Sequence, residues 1–227
     1  MSFVVGKLIV IEGNDGSGKA TQSKLILENL KAKGLETAYF DFPRYDNPCS
    51  TLVKNYLNGA YGSVEDVPSK VSSMFYAIDR YDASFEMKKA LEENKIIVCN
   101  RYVSSSMGHQ ASKINDKKER EEFLEWLKDL EYNFFNIPKP DLTIFLHVGF
   151  LNNQKLVDNK GYRDYLGGEK RDIHEDIKYI MSAEESYLEL INKMNWIKID
   201  CVKNNNLLSI EEINIKIMDV INKFLGS

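Results

Sequence analysis

Residues 11–22 read IEGNDGSGKATQ, and this stretch is the starting point for predicting the fold. Its segment GNDGSGK, residues 13–19, fits the pattern GxxxxGK between an apolar run and a segment with helical periodicity. Glycines allow the backbone to curl so that successive N–H groups point at phosphate oxygens, and the following helix adds the positive end of its dipole. The stretch therefore predicts a phosphate-binding loop in which Lys19 reaches the outer phosphates.

Two features of the loop are unusual. Ala20 stands where a Ser or Thr hydroxyl ordinarily ligates Mg²⁺, and the neighbouring Thr21 points about 100° further round the helix. Mg²⁺ keeps several waters and borrows ligands from substrate phosphates, so a nearby carboxylate can replace one hydroxyl. Asp15, inside the loop, is the candidate metal ligand.

Five short apolar runs alternate with longer segments of helical periodicity. The runs are residues 7–11, 37–42, 96–99, 142–148 and 196–199. This alternation predicts an α/β fold in which a five-stranded parallel sheet is flanked by helices. The first helix should run from Lys19 to Lys33 and end at Gly34, and the last should run from Ile210 to Leu225 behind a Ser209 cap.

The longest helical segment opens at Pro68 and extends to Asn94. Tyr76, Asp79 and Arg80 lie off its apolar stripe, so we expect them to be free to face a cleft. The residues with core spacing are Val71, Met74, Phe75, Ile78, Phe85 and Leu91.

Composition excludes several classes of protein. The 227 residues carry a net charge of -4 with no basic tail or stripe, which argues against a nucleic-acid polymer as partner. Cys49, Cys99 and Cys201 have neither metal-ligand spacing nor the even count of a disulfide framework, so they indicate a reducing compartment, and we expect the cytoplasm. No apolar stretch approaches 18 residues, so no membrane association is expected. We expect one domain spanning residues 1–227.

The chain has 24 lysines but only six arginines, which makes each arginine worth inspecting as a bidentate phosphate ligand. Arg101 directly follows an apolar strand, at the strand end where open α/β sheets bind ligands. The charged segment at residues 158–172 is predicted to be a lid, and it contains Arg163 and Arg171. Arginines at such positions serve either as phosphate ligands or as structural ion pairs.

Four further motifs, in order behind the loop, resemble those of thymidylate kinases. They are DFPRY (residues 41–45), FYAIDR (75–80), NRYVSSSMGHQ (100–110) and PDLTIFLHV (140–148). The resemblance spans nearly the whole chain. It implies a three-layer P-loop NTPase fold with a short lid, usually in homodimers, and transfer of the γ-phosphoryl group of ATP to dTMP with Mg²⁺, giving dTDP and ADP for dTTP synthesis.

The resemblance also implies which residues form the site. Asp15 corresponds to a loop carboxylate near the acceptor's sugar hydroxyl and the metal, Arg101 to the arginine that grips the acceptor phosphate, and Tyr76 to a ring that stacks on thymine. The ATP-binding residues would be Gly13, Asn14, Asp15, Gly16, Ser17, Gly18, Lys19, Ala20 and Thr21. The dTMP-binding residues would be Asp15, Phe42, Arg44, Tyr45, Tyr76, Arg80, Arg101, Ser105, Ser106, His109, Gln110 and Tyr187.

The loop contains no arginine, and family members of this kind supply one from the lid. Arg163 or Arg171 is therefore the expected catalytic donor, with Lys170 as a competitor of Arg171.

The sequence departs from the family pattern at several positions. Asn100 replaces a common Asp, His109 a common Tyr and His147 a frequent Asp, and Ala20 removes the usual hydroxyl. Asn100 and Ala20 together weaken metal handling. Two alternatives therefore stay open: a kinase for another nucleoside monophosphate or a deoxynucleoside, and a nucleotide-binding homologue without catalysis.

Overall fold

The computed structural model describes residues 6–149, 177–204 and 206–226. Its main sheet has five strands, which are β1 (Lys7–Gly13), β2 (Thr37–Asp41), β3 (Ile96–Asn100), β4 (Leu142–His147) and β5 (Ile197–Asp200). They lie in the order β2-β3-β1-β4-β5, and every neighbouring pair is parallel. This arrangement confirms the predicted α/β fold with a five-stranded parallel sheet.

The helices lie between the strands in the chain. They are α1 (Lys19–Ala32), α2 (Thr51–Leu57), α3 (Ser69–Glu92), α4 (Val103–Ala111), α5 (Lys117–Lys128), α6 (Ile177–Lys193) and α7 (Ile210–Leu225). A 3₁₀ turn (Pro48–Ser50) precedes α2, a π-helical segment (Asp129–Phe134) follows α5, and β6 (Val202–Lys203) pairs with β7 (Asn206–Leu207). None of the described helices combines the length and apolarity that crossing a membrane requires.

The two helix boundaries that were predicted from capping residues, the end of α1 and the start of α7, are confirmed. Gly34 follows α1 with a positive φ of 76°, the conformation that glycine adopts past a helix end. At the start of α7, the Ser209 hydroxyl accepts from the backbone N–H of Glu212, whose carboxylate accepts from the backbone N–H of Ser209. This reciprocal capping box fixes where the last helix begins.

Both faces of the sheet are buried, which explains why its strands read as continuous apolar runs. In β1, Leu8 and Val10 belong to one core cluster, whereas Ile9 and Ile11 belong to the other, and all four are 0% exposed. The first cluster is completed by α3, α4 and α5, and the second by α1 and α7. The molecule therefore has three layers.

The strand order places the phosphate loop at the centre of one sheet edge. β1 lies between β3 and β4, with Ile11 opposite Asn100 and Gly13 opposite Leu146. Parallel strands end at the same edge of a sheet, so the residues that follow β1 and β3 meet there.

The predicted core face of α3 is wrong. Val71, Met74, Ile78 and Phe85 are 42%, 44%, 38% and 61% exposed. Phe75 and Leu91 are partly buried against core clusters. The helix itself begins one residue after Pro68 and ends at Glu92, close to the predicted bounds.

The buried face of α3 consists of small and polar side chains. They are Ser72, Ser73, Ala77, Asp79, Arg80, Ala83, Ser84, Met87 and Ala90. Small residues let α3 approach α4 and β3 closely, and its buried arginine, Arg80, pairs with the buried Glu131. The spacing of the apolar residues therefore predicted the wrong face of α3. A buried face made of serine, alanine and an ion pair has no apolar pattern that the sequence could show.

His147, at the end of β4, bridges two other elements. Its Nδ1 lies 3.0 Å from Asp200 Oδ1 on β5, and its Nε2 lies 3.0 Å from Glu184 Oε1 on α6. The hydrogen bond to Glu184 raises the pKa of His147 above its ordinary value of 6.5, against the opposing effects of burial and of nearby Lys198. These contacts give His147 a structural role, in agreement with the absence of zinc-ligand spacing around it in the sequence.

Replacing His147 by glutamine should lower stability in a pH-dependent way. Because the folded pKa of His147 is raised, the protonated ring contributes its full stabilisation below about pH 6.5 and loses it as the pH rises through the folded value. We expect the free energy of unfolding of His147→Gln to fall below that of the wild type by roughly 1 kcal/mol or less near pH 6, since solvent screens the pair. Urea unfolding at about pH 6 and about pH 9 measures this difference, and a gap that is the same at both pH values would contradict it.

Candidate active site

The phosphate loop joins β1 to α1, and the lysine at its end lies back across it. Lys19 Nζ donates to the carbonyl oxygen of Asn14 at 2.8 Å and to Ser17 Oγ at 3.5 Å. A Cβ at Gly13 would lie 2.8 Å from the carbonyl oxygen of Leu146 on β4. Only glycine therefore fits at this position, where the phosphate loop begins. No side chain among the described residues caps the first turn of α1, whose first-turn N–H groups form a ready anion site.

Arg101 connects the end of β3 to the phosphate loop. Its Nη2 donates to Asp15 Oδ1 at 2.6 Å, and its Nη1 lies 3.4 Å from Glu12 Oε1 and 3.3 Å from His109 Nε2. Its backbone has a positive φ of 64°, which is uncommon for a residue with a side chain. Burial alone would lower the pKa of Arg101, but Asp15 and Glu12 outweigh burial and hold the pKa well above its ordinary value.

Glu12 is a site residue that sequence reasoning missed. It is 0% exposed, although it carries a carboxylate. The signal was present, because a glutamate inside an apolar strand and next to the phosphate loop must find partners when it is buried. Its partners include Arg101, Tyr187 and two serines of α4.

One pocket opens beside Asp15 and Arg101. The structure brings ten of the twelve predicted acceptor residues to its lining, namely Asp15, Phe42, Tyr45, Tyr76, Arg80, Arg101, Ser105, Ser106, His109 and Gln110. Pro43, Leu57 and Tyr102 complete it. These residues come from the phosphate loop, from the segments after β2 and β3, and from α2, α3 and α4. The sheet therefore gathers distant parts of the chain around one cavity.

Two predicted acceptor residues do not line this pocket. The Arg44 Nε donates to Asp79 Oδ1 at 2.8 Å, and its Nη2 pairs with Asp82 at 2.7 Å, so the guanidinium is committed to a structural ion pair. Tyr187 is 0% exposed and donates its hydroxyl to Glu12 at 3.2 Å. Arg44 instead lines an adjoining cavity, which shares Pro43 and Tyr45 with the pocket, and Tyr187 is buried against Glu12.

The far wall of the pocket carries a buried ion pair. Arg80 is 2% exposed, and its Nε donates to both oxygens of Glu131 at 3.1 Å. Glu131 belongs to the π-helical segment and is 0% exposed. Ser106 Oγ accepts from Arg80 Nη2 at 3.0 Å, whereas Nη1 makes a long 3.4 Å contact with the carbonyl oxygen of Tyr102. Glu131 therefore fixes the orientation in which Arg80 meets the pocket.

Gln110 is oriented in a similar way. Its Oε1 accepts from Ser72 Oγ at 2.6 Å and from Lys113 Nζ at 3.3 Å. Because the lysine ammonium only donates, this contact identifies the oxygen end of the amide. The N–H groups of Gln110 Nε2 are consequently the groups that the amide can offer a ligand.

The two departures at the predicted metal site have different surroundings. Ala20 is exposed on α1 and provides no ligand atom. Asn100 Nδ2 donates to Asp41 Oδ1 at 2.7 Å, and Asn100 Oδ1 is buried with no hydrogen-bond partner in the described part of the chain. Its amide nitrogen is thus held by a carboxylate on the next strand, which leaves the carbonyl oxygen available. The described residues contain no group of three or more His, Cys, Asp or Glu that could hold a metal ion.

The predicted lid lies outside the described residues. Arg163, Lys170 and Arg171 fall between the end of β4 and the start of α6, in residues 150–176. The two elements that flank this segment are joined by the contact between His147 and Glu184.

Comparison with known proteins gives one consistent family. The family model described as "Thymidylate kinase" matches residues 11–213. A probable thymidylate kinase of Methanocaldococcus jannaschii is 30% identical over 95% of this chain and 96% of its own, and a thymidylate kinase of Plasmodium falciparum is 27% identical over 96% and 90%. The solved thymidylate kinase of Candida albicans superposes with a TM-score of 0.74 at 22% identity, covering 97% of this chain and 93% of that one.

Proposed function

Since the chain belongs to the thymidylate kinase family, we infer that it is an ATP-dependent kinase that transfers the γ-phosphoryl group of ATP to dTMP, giving dTDP and ADP. The observation that carries this function is the 2.6 Å ion pair between Asp15 on the phosphate loop and Arg101 at the end of β3. It supports the function because it brings the phosphate loop and Arg101 together at one cavity. The comparisons lend no support to the two alternatives.

We propose that the loop from Gly13 to Thr21 binds ATP. The backbone amides around Gly16 and Gly18 and the N-terminus of α1 face the phosphates, and Lys19 exchanges its intraloop contact with Asn14 for phosphate oxygens. Phosphoryl transfer spreads charge over the equatorial oxygens, so catalysis rests on such electrostatic positioning. No covalent enzyme intermediate is required, because the acceptor phosphate is itself the nucleophile.

We propose that dTMP occupies the pocket beside Arg101. Arg101 binds its phosphate, and Tyr76 stacks on the base with Phe42 and Tyr45 nearby. At the far wall, Arg80 and the amide N–H groups of Gln110 donate to thymine carbonyls. Ser105, Ser106 and His109 border the sugar and base, whereas Arg44 and Tyr187 act by supporting the residues around them.

Mg²⁺ is the proposed cation, and the residues present fit it in a limited way. Asp15 and the buried carbonyl oxygen of Asn100 are hard oxygen donors of the kind Mg²⁺ takes, and with so few protein ligands the substrate phosphates and waters would supply the rest. When bound, the cation neutralises phosphate charge. We also propose that Arg163 or Arg171, in the predicted lid at residues 158–172, covers the transferring group.

We propose that two copies of the chain associate through the apolar stripe of α3, defined as Val71, Met74, Ile78, Tyr81 and Phe85. The aromatic surface continues from Tyr81 through Phe135 to Phe134, which is 78% exposed. An apolar surface of this extent along one long helix is characteristic of an interface. In a homodimer the stripe of a second copy covers this one, because a two-fold interface brings the same face of both chains together.

We further propose a single domain and a cytoplasmic location. Cys49, Cys99 and Cys201 are all free thiols, and the last two are buried. Free thiols persist in reducing compartments.

A substrate panel tests the activity. Coupled ADP release with ATP and Mg²⁺ should be fastest with dTMP, several-fold slower with dUMP because one methyl contact is lost, and roughly 10- to 100-fold slower with dCMP. The cytosine amine opposes the N–H donors of Arg80 and Gln110. A Lys19→Met variant should release no ADP with any acceptor. Preference for another base would contradict the assignment, and tight binding of both nucleotides without turnover would favour the non-catalytic alternative.

The dimer has its own test. Ile78→Glu places a charge in the centre of the stripe, and we expect it to convert the dimer to monomers in analytical ultracentrifugation. Ile215→Glu is the matched control, because Ile215 is 62% exposed on α7, away from the stripe. A wild type that sediments as a monomer, or an Ile78→Glu variant that remains dimeric, would show that this face is not the interface.

A further inference from the structure

Glu12 accepts hydrogen bonds from five donors, although it is fully buried. Its Oε1 accepts from the backbone N–H of Gly13 at 3.0 Å, from the Tyr187 hydroxyl at 3.2 Å and from Arg101 Nη1 at 3.4 Å. Its Oε2 accepts from Ser104 Oγ at 2.7 Å and from Ser105 Oγ at 2.8 Å. Two of these partners, the Gly13 N–H and the Arg101 guanidinium, can only donate, so the Glu12 carboxyl oxygens act as acceptors toward both of them.

The two carboxylates that pair with Arg101, those of Glu12 and Asp15, differ in how deeply they are buried. Glu12 is 0% exposed and held by partners on the phosphate loop, α4 and α6, whereas Asp15 has a side chain that is 30% exposed. With two carboxylates around one guanidinium, the local charge is unfavourable for an incoming phosphate. One carboxylate must give way, and only Asp15 can move without leaving a buried charge unpaired.

We propose that Glu12 is a positioning residue that orients Arg101 for the acceptor phosphate. It holds the Nη1 edge of the guanidinium, while the Nη2 edge, which pairs with Asp15, passes to the phosphate. Asp15 is thereby released toward the sugar and the cation. This inference rests on the proposed function, because it assigns the acceptor phosphate to Arg101.

Close packing around Tyr187 holds the hydroxyl that contacts Glu12 in place. Gly108 on α4 lies so close to the Tyr187 ring that a Cβ there would be 2.3 Å from Cζ. A side chain at this position would push the ring away and with it the hydroxyl that reaches Glu12. The hydrogen bond between Tyr187 and Glu12 also joins Glu12 to α6, the helix that follows the predicted lid in the chain.

The test compares binding of dTMP with binding of thymidine, which lacks the phosphate. Calorimetry on the wild type should show tighter binding of dTMP. In Glu12→Gln, whose side chain has nearly the same shape, dTMP affinity should fall roughly 10- to 100-fold while thymidine affinity stays within about twofold, since a charge-assisted contact is lost only at the phosphate.

Glu131→Gln is the matched control. It alters a second buried carboxylate that holds an arginine of the same pocket, but Arg80 meets the base. Affinity for dTMP and for thymidine should therefore fall by a similar factor. A purely structural effect of removing a buried charge would make the two variants behave alike.

Ser104→Ala provides a milder variant in case Glu12→Gln does not fold. Ser104 is buried and lies outside the pocket lining, so it reaches the ligand only through Glu12. We expect a selective loss of dTMP affinity of about threefold. In an Arg101→Ala background, Ser104→Ala and Glu12→Gln should cause no further selective loss, because the residue through which they act is gone.

The outcomes separate the two claims. If the wild type binds thymidine as tightly as dTMP, the placement of the phosphate at Arg101 fails, and the inference fails with it. If the wild type prefers dTMP but Glu12→Gln keeps that preference in full, the proposed function stands and the role of Glu12 is overturned. If Glu12→Gln does not fold, a Ser104→Ala variant with the wild-type preference overturns it.

Discussion

The ion pair between Asp15 and Arg101 is the contact on which the site depends. Asp15 belongs to the loop after β1, and Arg101 follows β3, the strand hydrogen-bonded beside it. Because parallel neighbours end at one edge of the sheet, this topology brings the loop that carries Asp15 and Lys19 beside Arg101. The proposed function requires two nucleotides that repel one another to be held there end to end, so cations of the protein and a metal ion would have to offset their charge.

Charge balance accounts for the position of Glu12 under the proposed function. An arginine proposed to receive a phosphate needs a fixed partner away from the solvent side, and the fully buried Glu12 takes that place. The same plan recurs at the other end of the pocket, where the buried Glu131 fixes Arg80. In both places a buried carboxylate holds an arginine, and we propose that the ligand meets the edge of the guanidinium that remains.

Local patterns predicted the sheet, the phosphate loop and the helix caps, because each depends on residues close together in the chain. The face of α3 could not be predicted in this way, since its packing uses serine and alanine and a pair formed with Glu131, about fifty residues away. The scarcity of arginine drew attention to both Arg44 and Arg101, and both form ion pairs, but only three-dimensional structure shows that Arg101 lines the pocket and Arg44 does not. Glu12 was overlooked because an isolated carboxylate in a strand does not show which donors surround it.

The most direct measurement is a crystal structure of the chain with adenosine and thymidine joined through a continuous phosphate chain. We expect the phosphates to run from Lys19 to Arg101, Asp15 to have left Arg101, and Glu12 to keep its contact with the guanidinium. Phosphates bound away from Arg101, or Lys19 and Arg101 facing separate cavities, would contradict it.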